Sequence, residues 1–442
     1  MRNIWFFKNL RCPASGRIGV KDSAVPGLRI LVYPHDLTIG GSQINAIDLA
    51  AGVAQAGHEV VVYGIPGPLV AYIEERGVRF IPARKLKYRP APSRIAQLTS
   101  IAVREKLDLI HAYEWPPCLD AYYGAGLFAR VPVLCTVLGM TVMPMVPRSV
   151  PLIMGTAELG VQARELQSGP VWVIEPPIDT DRDNLAIDGS ALRRASGVSD
   201  SDLLIVTVSR LSLDLKIDAL VRAIDAVELL AHRHPIKLVL VGDGQARTAL
   251  ANRAKAVNAR CGREVVRLHG EELDPRPAYA AADLVLGMGS SSLRAMAMGR
   301  PVIVQGEHAF SEIFEPATHD LFLNQGFYGI ADAAFGVERL AGQMDRLLRD
   351  PELRRQVGMF GHKVVTSRFS LKRAVQVQLE IYDEMLRRPL RRSMADALRA
   401  AAGAVAIEIG NHDPRRKRQR KAWAENTLLA AQAGVWPPTD TL

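Results

Sequence analysis

"LRILVYPHDLTIGGSQINAIDLAAGVAQAGHEVVVYG", Leu28 to Gly64, decides the fold. "LRILVYP" is a short, β-branched apolar run of the kind that forms a strand buried in a parallel sheet. After it, Ile44, Ile47, Leu49, Ala50, Val53 and Ala54 recur at helical spacing, and Gly57 ends the helix. "EVVVYG" is the next buried strand. Strand, loop, helix and strand close by a right-handed crossover into one Rossmann-like unit.

The same rhythm continues further along the chain. "LDLIHAY", "VPVLCTV", "VPLIMGT" and "VWVIEPP" read as further strands. "EPPIDTDRDN" (Glu175–Asn184) breaks the pattern with Pro and Asp and suits a linker. A second series then begins: strand "DLLIVTVSR", amphipathic helix "KIDALVRAIDAVELLAHRH", strands "IKLVLVGDG" and "VVRLHG", and "AYAAADLVLGM" leading into "LGMGSSSLRAMAMGRPVIV". "FSLKRAVQVQLEIYDEMLRR" reads as a long closing helix. The expected organisation is a flexible arm (1–27), a first α/β lobe (28–178), a second α/β lobe ending in the closing helix (179–390), and a basic tail (391–442). Two Rossmann-like lobes then face each other across a cleft, and parallel sheets of this type bind ligands at the carboxyl ends of their strands.

Composition narrows the class. Of 442 residues, 48% are hydrophobic and 23% charged, as in a soluble globular chain. No apolar run approaches the roughly 18 residues that span a bilayer. "MRNIWFF" is too short for a secretory h-region, and no small-residue cleavage site follows it, so the expected location is the cytoplasm. Cys12, Cys118, Cys135 and Cys261 lie far apart without a CxxC pair, which fits buried reduced thiols rather than a metal knuckle. The net charge of +9 points to an anionic partner, and much of it sits in "PRRKRQRK" (Pro414–Lys421). Without interleaved aromatics or a nucleic-acid motif, nucleic acid ranks below an anionic membrane or plain solvation as its partner. "SMADALRAAAGAVAIEIG" before it suits an amphipathic helix, in what otherwise reads as a flexible or interaction tail.

Four loops carry the chemistry. Gly40 and Gly41, between the first strand and first helix, let backbone approach a ligand at a helix N-terminus, although a turn needing positive φ explains them equally. The sequence there is not G-x-G-x-x-G, so a dinucleotide cofactor is not supported. Arg210 ends a strand in "VSRLSLDLK" and Lys216 stands near a helix start, where a cation opposes the helix dipole; the pair suits a diphosphate, with a solvated pair at a helix start as the alternative. Turn geometry alone explains the glycines of "VGDGQAR". "GMGSSSLRAM" offers Gly287, Gly289, Ser290, Ser291, Ser292 and Leu293 before a helix, more than ordinary N-capping by one Ser requires; the backbone N–H groups of Ser291, Ser292 and Leu293 would cap a phosphate.

In this order, GG after the first strand, the Pro/Asp link, S-R-L…K, V-G-D-G, A-A-D and L-x-A-M-A-x-G-x-P-V-I, the motifs resemble glycosyltransferase family 4, the retaining sugar-nucleotide transferases of GT-B fold. The likeness runs from about Leu28 to Arg388. It implies a donor nucleoside-diphosphate sugar as substrate with no separate cofactor, Arg210 and Lys216 gripping the diphosphate, and Gly40, Gly41 and the 287–293 loop near donor or acceptor. The acceptor, whether glycan, lipid or small molecule, is not implied. Glu312 falls after the second strand of this region without an assigned role.

The chain departs from that family in three places. The family's two Glu, eight positions apart, fall on Leu286 and Arg294; a guanidinium only donates hydrogen bonds, so Arg294 suits phosphate rather than a ribose diol. The acceptor-side His of a T-x-H-G segment falls on Leu138, leaving His111 as the nearest polar substitute by sequence, although a lone His is more often structural. Retaining transfer needs no protein nucleophile, since the donor phosphate can take the acceptor proton, and the protein's task is then electrostatic. No acidic pair stands at a strand end, so no metal is expected. The alternative expectations are a GT-B scaffold without transfer activity, which the missing Glu pair favours, and an epimerase, whose acid/base carboxylates find no place.

Overall fold

In the computed structural model, residues 27–85, 91–139, 141–199, 201–331, 336–388 and 393–433 are described. The expected arm therefore lies outside them except for Gly27. The first sheet holds seven strands, β1 (Arg29–Tyr33), β2 (Glu59–Gly64), β3 (Arg79–Pro82), β4 (Leu109–Tyr113), β5 (Val133–Val137), β6 (Leu152–Met154) and β7 (Val171–Val173), ordered β3-β2-β1-β4-β5-β6-β7. All are parallel, with Leu31 level with Val61 on one side and Ile110 on the other. The second holds β8 (Leu203–Val208), β9 (Ile236–Val241), β10 (Val266–Gly270), β11 (Leu284–Gly287), β12 (Val302–Gln305) and β13 (Ser311–Ile313), ordered β10-β9-β8-β11-β12-β13. Only the short last strand runs antiparallel.

Helices cover both faces of each sheet, which is why strands such as "LIHAY" and "VLCTV" are buried at every position. In each sheet the strand order reverses beside its central strand, between β1 and β4 and between β8 and β11. Crevices open at such switch points. The fold is thus the expected pair of α/β lobes.

The chain from Leu371 onward differs from the sequence reading. The helix Leu371–Arg387 was expected to close the second lobe. Its buried face, Leu371, Ala374, Val375, Ile381, Tyr382 and Met385, instead joins Ile30, Val32, Ala46 and Leu49 in the core of the first. It crosses the helix Gly41–Gln55 so closely that a Cβ on Gly52 would lie 2.4 Å from Val375 Cγ2. The segment past 390, expected as a flexible or interaction tail, contains two packed helices, Met394–His412 and Pro414–Ala433. Ala397, Ala400 and Ala404 bury the first against Leu119 and Met145 of the first lobe. The second lays Ala431, Trp423 and Leu428 on the second lobe's core, and Arg253 donates to the carbonyl of Ala431.

Candidate active site

Between the lobes lies a cavity of about 570 Å³, floored by the loops that leave β1, β8, β9 and β11. Gly40, Gly41, Arg210, Lys216, Gly289, Ser290, Ser291 and Arg294 line it. Gly40 caps the helix Gly41–Gln55 with an extended backbone (φ −167°), and Gly289 caps the helix Ser290–Ala297 with φ 64°. A Cβ on Gly41 would approach Ser290 Oγ to 2.8 Å, so the two helices, one from each lobe, begin at nearly the same point. Their first N–H groups have no partner within the helix. Two partial positive poles therefore meet in the cleft.

Two cations complete it. Among the described residues the Arg210 guanidinium makes neither ion pair nor hydrogen bond, although its carbonyl accepts from Ser209 Oγ. Lys216 Nζ has only Met288 Sδ, at 2.8 Å, a weak acceptor. Burial, and then the neighbouring charge of Arg210, against a smaller pull from Glu307, push the Lys216 ammonium down to about 8. Leu215, immediately before it, is held at φ 62°, a strained backbone for a branched side chain. The strain sits where the loop turns Lys216 into the cleft. On the floor, a Cβ on Gly242 would lie 1.9 Å from the carbonyl oxygen of Ser209. The Gly-Asp-Gly turn is thus needed for the close packing of the loops after β8 and β9, although Gly242 and Asp243 also line the cleft.

Four sequence assignments need correction. Ser292 and Leu293 do not face the cleft: both are buried, and their N–H groups donate to the carbonyl of Gly289 as part of the helix. Of the three serines, only Ser290 and Ser291 line the cavity, and Ser291 Oγ closes its own turn on Met288. Gly287 lies behind the cleft, where a Cβ would meet Ser292 Oγ at 2.7 Å.

His111 is the third. It sits in the middle of β4 with no exposed surface, bonded to Tyr382 Oη and Thr136 Oγ1, both at 2.7 Å. Burial pushes its imidazole down to about 3, so it is neutral and structural. Replacing it with Phe is expected to cost about 1–3 kcal/mol in thermal unfolding, because the buried hydroxyls lose a partner, while nucleotide affinity stays unchanged in a titration.

The fourth is Arg294, which suited phosphate by its chemistry. Its guanidinium instead stands 3.1 Å from Asp183 Oδ2 of the interlobe link and 4.0 Å from Asp48 of the first lobe. Asp48 also accepts from Tyr72 Oη (2.6 Å) and pairs with Arg76 (3.4 Å), which in turn reaches Asp179 (2.8 Å). Burial opposes the charge on Arg294, but Asp183 and Asp48 outweigh it and hold the guanidinium above its ordinary range. Burial also raises the carboxyls of Asp48 and Asp183, partly offset by Arg294. The network ties α/β lobe to α/β lobe through the link.

Sequence reasoning missed Asp48, Arg76, Asp179 and Asp183. Asp48 did carry a signal, as the one acid amid the apolar positions of its helix; the link's acids read only as turn formers. Glu114 was missed too. It is held at φ 66° between β4 and the next helix, and its Oε1 accepts from Leu138 N (2.9 Å) and Gly139 N (3.1 Å). It fixes the loop on which Leu138 replaces the expected histidine. Among the described residues, no group of three or more His, Cys, Asp or Glu is placed to hold a metal ion.

Comparison with known proteins bears on this geometry. Residues 202–350 match the family described as "Glycosyl transferases group 1", and residues 39–145 match "Glycosyltransferase Family 4". An N-acetyl-alpha-D-glucosaminyl L-malate synthase of Bacillus anthracis is 23% identical over 391 residues, covering 81% of this chain and 97% of that protein. An uncharacterized glycosyltransferase of Methanocaldococcus jannaschii is 23% identical over 399 residues, covering 79% and 95%. In fold, a glycosyltransferase from Rickettsia africae superposes with a TM-score of 0.67 at 17% identity, over 82% of this chain and all (100%) of that one. Anabaena HepE, solved in complex with UDP-glucose, superposes with a TM-score of 0.61 at 18% identity, over 80% and 99%.

Proposed function

Because this chain belongs to the family-4-like glycosyltransferases of GT-B fold, we propose that it moves a sugar from a nucleoside-diphosphate sugar to an acceptor held against the first lobe, with retention at the anomeric carbon. The observation that carries this is the pair Arg210 and Lys216. Neither is neutralised by a carboxylate, and both line the cavity with Gly41 and Ser290, where two helices begin. Lys216 is partly desolvated, and a charge so placed is costly without an anion to receive it; Arg210 stands beside it, exposed and without a carboxylate partner. A diphosphate answers it.

In this scheme the glycosidic bond of the donor breaks while the diphosphate leaves. Arg210, Lys216 and the helix N-termini stabilise the charge that develops on it. A donor phosphate oxygen takes the acceptor's proton as the new bond forms on the same face. The cations and helix ends supply the positive charge, so the transfer needs no metal. Lobe closure excludes water from the cleaving bond. The binding of UDP-glucose by the structurally similar Anabaena protein is consistent with such a donor.

The test is twofold. Thermal unfolding with UDP, GDP and ADP is expected to show stabilisation by at least one, about 2.7 kcal/mol at a hundredfold excess over its Kd. Incubation with a panel of nucleotide sugars and a broad acceptor panel is expected to release nucleoside diphosphate. The departures at Leu286 and Leu138 favour the second reading, a GT-B subunit without transfer activity; binding without release on any donor would establish it in place of the first. Absence of binding by any nucleotide would remove both.

A further inference from the structure

The geometry points to an anionic membrane surface as the partner of the two C-terminal helices, lying on the lipid headgroups rather than crossing them. The helix Met394–His412 is fastened to the first lobe on one side. Asp396 Oδ2 accepts from Ser149 N and Oγ, both at 2.9 Å, and Arg399 donates to the carbonyls of Pro144 and Val146. Its opposite side is open. Met394 is 70% exposed, Leu398 68%, Val405 44% and Ile409 68%. At about 100° per residue these four side chains fall within one narrow stripe; the exposed positions between them are Ala395, Ala402 and Ala406, and His412 ends it. No charged residue interrupts the stripe.

The cationic run adjoins its end. Arg415, Arg416, Lys417, Arg418, Arg420 and Lys421 are all exposed, on every side of the first two turns of the helix Pro414–Ala433. A Cβ on Gly410 would lie 2.7 Å from Arg416 Nη1, and Arg420 bonds Asn411 Oδ1 at 3.3 and 3.4 Å, so these guanidiniums lie over the turn that follows Ile409. The run contains no acid.

Charge and stripe together select the partner. A nucleic acid would satisfy the cations and leave four large apolar side chains in water. A second copy of this chain would cover the stripe but bring the same cationic run with it. An anionic bilayer accepts both: apolar side chains enter the acyl boundary while Lys and Arg stay among the headgroups. No helix among the described residues is long and apolar enough to cross a membrane, which fits a surface-lying hairpin. The stripe is independent of the nucleotide cleft, so its failure and that of the transfer reading are separate.

The full-length protein is sedimented with vesicles of phosphatidylcholine alone and of equal parts phosphatidylcholine and phosphatidylglycerol. Binding is expected to the second only, and to fall steeply between 0.1 and 0.5 M salt. Leu398→Ser with Ile409→Ser, and Arg415→Glu with Arg418→Glu, are each expected to weaken it at least tenfold at unchanged melting temperature; one Lys or Arg near such a surface is worth about fivefold. Equal binding to both vesicles, binding to neither, or binding unaffected by either pair of substitutions would overturn the proposal. A concentration-dependent dimer abolished by the Leu398/Ile409 pair would overturn it in favour of a second copy.

Discussion

Arg210→Ala, and separately Lys216→Met, are expected to lower transfer by about two to three orders of magnitude, the loss seen when one preorganised charge stabiliser is removed from a developing anion. Both residues line the cleft without a carboxylate partner, so their removal costs the fold little. Lys216→Met should even stabilise the ligand-free protein, since its ammonium is held in a desolvated place. Steady-state transfer rates with melting temperatures measure this; loss of rate accompanied by unfolding would refute it.

The Lys216 ammonium gives the same prediction a pH signature. In the free protein it titrates at about 8, and a bound diphosphate favours its charged form. Above pH 8 binding must therefore take up a proton, and affinity is expected to fall by as much as tenfold per pH unit. Calorimetry in two buffers of different ionisation enthalpy reads that proton directly, and Lys216→Met should abolish it. For stability the sign is opposite. The folded value lies below the ordinary 10.5, so the unfolded chain binds more protons, and the ligand-free fold gains stability as pH rises from about 8 to 10.5.

Arg294→Ala is expected to destabilise the protein by about 3–5 kcal/mol, the cost of leaving a buried charge unpaired. Asp183 and Asp48, 1% and 2% exposed, would face each other without their shared cation. Arg294→Glu should be worse, because a third carboxylate would enter the same space. A double-mutant cycle with Asp183→Asn isolates the coupling: neutralising Asp183 should recover part of the loss. If Arg294 instead served a donor phosphate, Arg294→Ala would leave the melting temperature unchanged and weaken only nucleotide binding.

Much of the fold was legible because buried parallel strands write themselves as unbroken apolar runs. β1, β2, β5 and β8 came close to this, while His111 interrupts β4 and Lys237 interrupts β9. The cleft's cations were legible for another reason: Lys216 stands at a helix start, where it opposes the helix dipole. What could not be read was direction. "SSS" gives three serines, but a helix turns 100° per residue, so Ser290 and Ser291 meet the cavity and Ser292 the core. His111 lies on a strand covered on both faces, where no alternation marks an outward side. Arg294 could be seen to differ from a carboxylate, yet its partners Asp48 and Asp183 are separated from it by more than a hundred positions and meet it only after folding. The closing helix carried a clear apolar face, but nothing in its sequence said which lobe that face would cover.

That last feature bears on how the protein is made. The strands of the first lobe are finished at Val173, yet the helix that seals one face of that lobe begins at Leu371. At ribosomal rates of 5–20 residues per second, the roughly 200 residues between them take about 10–40 s to synthesise. Throughout that interval the nascent first lobe lacks the helix that packs on Gly52 and supplies Tyr382 to His111, so it depends on its own C-terminal sequence for protection. A fragment ending at the interlobe link is therefore expected to aggregate rather than to behave as an autonomous domain.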